Sequence, residues 1–240
     1  MSHHERIVPD EVESGVVALH LKRYDFALPY CRAKVVLDAG CGVGYGSALL
    51  AEAATRVVGV DVSDAAIDYA RERYAAANLE FETMDVMALA LEDGSFDVVC
   101  AFETIEHVED RDAFLREIAR VLRLEGVLLV STPRADETTE QPDNPFHHVE
   151  LSRADFERLL GRHFQSIELY GQRRLQTRRH RALLRLDVLG LRRRLPALAR
   201  AAPLVGSPAT SAVTLDDIVI EREGIERASE LVAVCTRPRP

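Results

Sequence analysis

Apolar residues along this chain alternate between two periods. The runs Val35–Ala39, Val57–Val60, Leu79–Met84, Asp97–Phe102 and Gly126–Thr132 are short and rich in apolar and β-branched side chains, the pattern of strands buried on both faces. Between them, Tyr45–Ala54, Asp64–Ala76, Arg111–Leu122 and Arg153–Leu160 carry apolar residues at helical spacing, which gives each a single buried stripe. Ser63 or Asp64, Asp110 and Ser152 stand where an N-cap would open three of these helices. Phe164–Tyr170 and Glu230–Thr236 read as two further strands. Strand–helix alternation in this order predicts an α/β fold whose parallel sheet is covered on both faces. No internal repeat interrupts it.

Length and composition narrow the picture. A chain of 240 residues with 47% hydrophobic content is expected to form one domain with a substantial core. No apolar stretch approaches the roughly 18 residues of a membrane span, and the polar start Met1–Glu13 lacks a signal-peptide hydrophobic region, so a cytoplasmic location is the expectation. Cys31, Cys41, Cys100 and Cys235 show no C-x-x-C pairing and are expected to be reduced and structural. Two lysines, Lys22 and Lys34, among thirty basic residues point to a GC-rich bacterial genome.

The net charge of −9 conceals an asymmetry. Ten arginines between Arg173 and Arg200 face one acid, Asp187, so that segment carries +9 and the remainder −18. Leu183, Leu184, Leu186, Leu189, Leu191 and Leu195 give it an apolar stripe, broken at Pro196 and Pro203. A lid or homodimerisation helix is the plainest reading; peripheral docking on an anionic membrane is the next. Nucleic acid is disfavoured, because no aromatic residues interleave for stacking and the body is acidic.

Glycines crowd the junction between the first strand and the first helix. Asp38-x-Gly40-x-Gly42-x-Gly44 is followed by Gly46, a loop suited to close backbone approach by a nucleotide-like ligand. The dinucleotide fingerprint fails, since its third glycine position holds Tyr45 or Ser47. Asp38 would repel a pyrophosphate but could hold an ammonium group. Asp61 ends the second strand about twenty residues on, where a carboxylate can accept from both hydroxyls of a ribose. Asp85 follows the third strand and could meet an adenine amino group.

Together these motifs resemble the class I S-adenosylmethionine-dependent methyltransferases over Arg23 to about Tyr170. Asp38, Gly40 and Gly42 match the first motif of that family, Asp61 with Val62 its ribose segment, Asp85-Val86 its adenine contact, and Ser95-Phe96-Asp97-Val98-Val99 its fourth strand. Leu21-Lys22-Arg23-Tyr24 is similar to a segment that folds over the cofactor in related enzymes, which adds Tyr24 to the cofactor site. The resemblance implies a Rossmann-like class I methyltransferase fold with a mostly parallel seven-stranded sheet flanked by helices. Residues 1–30 would cap the cofactor, 31–172 form its core, 173–213 a helical insert between the last two strands, and 214–240 the last strand region.

On the acceptor side, Glu103, Glu106 and His107 stand at i, i+3 and i+4 after the fourth strand, so one helical turn would point them the same way. Two carboxylates that close repel unless a proton or cation sits between them, and magnesium suits an oxygen-rich set. The stretch resembles the E-x-x-E-H of ubiquinone-pathway and small-RNA O-methyltransferases, where it implies a metal site. Asn144–Ser152 resembles a segment of sugar and small-RNA O-methyltransferases. Aligning on Glu150 and Ser152 puts His147 on the family histidine, as fourth ligand or general base, with His148 the alternative. The chain as a whole is most similar to actinobacterial sugar O-methyltransferases, including those of methylmannose-polysaccharide synthesis. That implies methyl transfer to a hydroxyl of an oligosaccharide or small molecule. A polyprenyl-quinol O-methyltransferase and a non-catalytic S-adenosylmethionine-binding regulatory module are the alternatives.

Overall fold

The computed structural model describes residues 8–9, 14–175 and 213–239. Helix α1 (Ser14–Cys31) precedes an alternating series: β1 (Val35–Ala39), α2 (Tyr45–Ala51), β2 (Arg56–Asp61), α3 (Asp64–Arg73), β3 (Leu79–Thr83), β4 (Phe96–Phe102), α4 (Arg111–Val121) and β5 (Leu122–Ala135). Then come β6 (Leu151–Ser152), α5 (Arg153–His163), β7 (Phe164–Arg174), β8 (Ile218–Glu221) and β9 (Glu230–Pro238). One sheet runs in the order β3-β2-β1-β4-β5-β9-β7-β8, with β6 paired to the end of β5. The strands from β3 to β5 are mutually parallel, whereas β9 runs antiparallel to both β5 and β7.

The seven expected strands are all present, and two more join them. β6 has only two residues, and β8 is a short apolar run bounded by acids, so neither produces a periodic signal. Ser63 Oγ, Asp110 Oδ1 and Ser152 Oγ each accept from a backbone N–H of the first helical turn, at 3.3, 2.8 and 3.3 Å. The arginine-rich insert lies outside the described residues, apart from its first members. Of these, Arg173 Nε donates to Glu221 Oε1 at 3.1 Å and closes the β7–β8 pair.

Neighbouring residues of one strand feed opposite sides of the sheet, which explains the unbroken apolar runs. Leu37, Val99 and Leu128 pack with α4 and α5 through Phe114, Ile118 and Phe156. Val36, Val98 and Leu129 pack with α1 and α2 through Tyr24, Ala27 and Leu50. All four cysteines are buried and unbridged. Among the described residues no helix is long and apolar enough to cross a membrane.

Candidate active site

A cavity of about 740 Å³ opens at the carboxyl ends of the parallel strands, where ligands of doubly wound sheets bind. Its walls come from the β1–α2 loop (Gly40–Val43), the ends of β2, β3 and β4, the loop 144–148, and His20 and Tyr24 of α1. A second hollow, of about 930 Å³, lies between Arg71 and Thr83 on the outer edge of β3, away from these motifs.

The glycine loop divides its work. A Cβ on Gly42, whose φ is +55°, would meet nothing within 4 Å, so this backbone alone in the loop stands clear of its neighbours. Gly40, Gly44 and Gly46 instead make room for Thr104, Phe81 and the Tyr24 ring. Asp38 is fully buried and does not line the cavity. Its carboxylate accepts from Ser47 Oγ at 2.6 Å and from Tyr24 OH at 3.2 and 3.3 Å. Burial pushes Asp38 up to about 7, against the opposing hydrogen bonds from Ser47 and Tyr24.

Asp61 sits at the cavity wall. Its Oδ2 accepts from Gly42 N–H at 3.0 Å and its Oδ1 from Ser63 N–H at 2.9 Å, which fixes the carboxylate against the glycine loop. Val62 beside it is 67% exposed, an apolar face bordering the same space. Asp85 accepts from Met87 N–H at 2.8 Å and is otherwise exposed at the wall, while Val86 is buried. Asp61, Val62, Asp85 and Val86 therefore line one end of one cavity.

At the other end the expected helical turn does not form. Glu103 follows β4 with φ +52°, in the left-handed region, and Thr104 Oγ1 donates to Ala39 O at 3.1 Å, tying the chain back to β1. Consequently the two glutamates diverge. Glu103 Oε1 accepts from Ser131 Oγ at 2.8 Å, and its Oε2 lies 3.8 Å from Nη2 of the buried Arg23. Glu106 is completely buried, and neither carboxylate oxygen has a partner of good hydrogen-bond geometry, the Thr132 hydroxyl and the Glu106 backbone N–H offsetting its burial only in part. Burial, then the charge of Glu103, pushes the Glu106 carboxyl well above the usual range. Glu230, at the start of β9, is raised by the same two causes in the same order.

Glu106, His107 and His147 each offer a ligand atom, all within 4.8 Å of one another. The two imidazoles meet edge to face, with centroids 4.8 Å apart. His107 Nδ1 lies 3.0 Å from the Phe146 carbonyl oxygen, and His147 Nδ1 lies 3.0 Å from Glu150 Oε1. Both partners only accept, so each Nδ1 carries the proton and Nε2 holds the lone pair in the neutral ring. Metal-binding histidines are oriented in this way. Asn144 Nδ2 donates to the His147 Nε2 lone pair at 2.9 Å, so an ion takes that nitrogen only by displacing the amide. His148 is exposed at the rim, and its backbone N–H donates to Glu106 O at 2.8 Å.

Charge in the cavity is one-sided. Asp61, Asp85, Glu103, Glu106 and Glu109 line it, and no lysine or arginine does so among the described residues. His20 stays neutral, because burial and then Arg23 push it down to about 2.

Residues 37–130 match the family model described as a methyltransferase domain. The sheet order and flanking helices around them are those of the Rossmann-like class I methyltransferase fold. A probable S-adenosylmethionine-dependent methyltransferase from Mycobacterium tuberculosis is 41% identical over 160 residues, covering 65% of this chain and 58% of that protein. A ubiquinone biosynthesis O-methyltransferase from Bartonella tribocorum is 36% identical over 107 residues, covering 44% and 43%. Thus the chain spans less than two thirds of the length of these curated relatives. Among solved structures, a putative methyltransferase bound to the Haloferax volcanii Trm112 activator aligns with TM-score 0.62 and 19% identity over 95% of this chain and 93% of that one.

Arg23, Ser131, Asn144 and Glu150 complete this end of the cavity; Arg23, Asn144 and Glu150 fall within segments singled out in the sequence but without a site role of their own there, and Ser131 falls in none. Asn144 and Glu150 lie three residues to either side of His147, a spacing that marks them as its supports. Nothing local distinguishes Arg23, which meets Glu103 across eighty residues of chain.

Proposed function

We propose that this protein transfers the methyl group of S-adenosylmethionine to a hydroxyl oxygen of a small neutral acceptor, a saccharide in the first instance. The observation that carries the reading is Glu106: a fully buried carboxylate with no partner of good hydrogen-bond geometry, beside two imidazoles whose Nδ1 atoms are already engaged. An acidic lining suits a cationic sulfonium donor and disfavours a phosphorylated acceptor. The exposed ring of Phe146, with Phe102 and Pro133, offers flat apolar surface to an acceptor.

Asp61 accepts the ribose hydroxyls in this scheme, Asp85 faces the adenine, and Val62 and Val86 border the base. The open backbone at Gly42 admits the methionine part. Glu106, His107 and His147 would hold a divalent ion, and the orphaned oxygens of Glu106 fit that role. Because Glu103 is turned toward Arg23 and Ser131, the donor set is one carboxylate and two imidazoles. Such a set suits manganese or zinc better than the expected magnesium. When bound, the ion lowers the pKa of an acceptor hydroxyl. His148 at the rim takes the released proton, and Glu150 keeps His147 oriented, with the Asn144 amide giving up His147 Nε2 to the ion. In-line alignment of the two substrates can contribute roughly 7–11 kcal/mol.

Similarity to a ubiquinone biosynthesis O-methyltransferase favours a second reading, a polyprenyl-quinol acceptor, with the arginine-rich segment touching the membrane. A methyl-transfer screen across neutral oligosaccharides and quinol precursors tests both. Saccharide turnover supports the first reading, and quinol turnover together with co-sedimentation on anionic vesicles the second. Cofactor binding without turnover of any hydroxyl would indicate a regulatory module.

A further inference from the structure

The acid that opens the glycine loop faces away from the cavity, toward the helix that covers it. Ser47 Oγ and Tyr24 OH supply its donors at 2.6, 3.2 and 3.3 Å, and all three residues are buried. Tyr24 belongs to α1, while Asp38 and Ser47 belong to β1 and α2. A Cβ on Gly46 would stand 2.0 Å from the Tyr24 ring, so the missing side chain at Gly46 forms the seat for that ring. Phe102 and Tyr45 meet the ring edge-on, at 5.1 and 6.1 Å between centroids. Tyr24 also lines the cavity, which Asp38 does not.

An ammonium group could reach the Asp38 carboxylate only by displacing the two hydroxyls, and both would then be left buried and unpaired, which is costly. We propose that Asp38 is a positioning residue that acts through Tyr24: it clamps α1 over the cofactor end of the cavity, and the cofactor meets Tyr24 and Gly42 rather than Asp38. This rests on the reading that the cavity holds S-adenosylmethionine. The elevated pKa of Asp38 agrees with it, because a hydrogen-bond anchor survives protonation and an ion pair does not. When the clamp is released, only a fraction of molecules has the covered cavity, and apparent affinity falls by that fraction.

Three variants separate the clamp from a direct contact: Asp38→Asn, Tyr24→Phe and the double substitution. Asparagine keeps the shape, accepts from Ser47 and can donate to the Tyr24 hydroxyl; phenylalanine keeps the ring in its seat and loses only the hydroxyl. The probes are calorimetric affinity for S-adenosylhomocysteine and hydrogen exchange of the α1 amides in the ligand-free protein, with exchange at β1 as a control for global stability. For Asp38→Asn, affinity within about threefold of wild type is expected, and for Tyr24→Phe a loss of about tenfold. Exchange in α1 should accelerate selectively in Tyr24→Phe, and the double variant should bind no worse than Tyr24→Phe alone. A tenfold or greater loss in Asp38→Asn with unchanged binding in Tyr24→Phe would overturn the proposal, as would unchanged α1 exchange in Tyr24→Phe. Failure of the wild-type chain to bind S-adenosylhomocysteine would overturn the functional reading instead, and the exchange measurement would still decide the clamp.

Discussion

Glu103 Oε2 stands 3.8 Å from Nη2 of Arg23, a guanidinium that is 1% exposed. This pairing separates two glutamates that are three residues apart in sequence. Arg23 Nη1 is also 3.4 Å from Gln172 Oε1, and Gln172 Nε2 donates to Leu19 O at 3.1 Å, so α1 and β7 hold the guanidinium in place. Arg23 gives Glu103 a counter-charge and Ser131 a hydrogen bond, and Glu106 is left as the carboxylate available to a ligand.

Glutamine substitutions should therefore behave differently at the two positions. Glu106→Gln is expected to weaken manganese or zinc binding by at least tenfold in calorimetry, because it removes the charged ligand. Glu103→Gln should retain most of the metal affinity and instead lower the melting temperature, since the buried Arg23 would lose its counter-charge. Equal metal-binding losses would return Glu103 to the ligand set.

Asp61→Ala should cost about 2–4 kcal/mol of cofactor affinity through the loss of a charged acceptor for two hydroxyls. Its second effect is local, since the N–H groups of Gly42 and Ser63 lose their shared partner. Wild-type affinity for S-adenosylhomocysteine in this variant would remove the ribose assignment.

Asp38 makes stability depend on pH in a defined direction. Its folded-state pKa is raised from 3.8 to about 7, so between about pH 4 and pH 7 the native state binds more protons than the unfolded state. Stability consequently falls as pH rises through that window. Asp38→Asn removes this dependence and should be more stable than wild type at pH 8, by up to ~4 kcal/mol, with the difference shrinking toward pH 4. Denaturant melts at both pH values check it; a gap that widens on acidification would contradict the buried-acid account.

Much of this was legible in the chain. β1 runs over Val35–Ala39 as its apolar pattern predicts, and the three N-caps fall at Ser63, Asp110 and Ser152. Ends set by tertiary contacts were not. α3 stops at Arg73 rather than continuing through the alanines, because Tyr74 packs on the cluster of Cys41, Ile67 and Phe81. β5 extends well beyond Gly126–Thr132 at both ends, and its pairing with β9 spans Val127–Pro133. The i, i+3, i+4 spacing after β4 brings Glu106 and His107 to His147 but fails for Glu103, whose left-handed backbone and distant arginine leave no periodic trace.

His147 and His148 should separate by pH. His147→Ala is expected to weaken metal binding and reduce turnover at every pH. His148→Ala should leave metal affinity intact and reduce kcat most near neutrality, with recovery at higher pH where solvent can take the proton. Loss of metal affinity in His148→Ala alone would exchange their roles.

The most direct test is methyl transfer from S-adenosylmethionine to a neutral oligosaccharide panel by exhaustively chelated protein, before and after manganese, zinc or magnesium is returned. Turnover should vanish on chelation and return with manganese or zinc more fully than with magnesium, while S-adenosylhomocysteine affinity stays constant throughout. Undiminished turnover in the metal-free protein would contradict metal-assisted transfer.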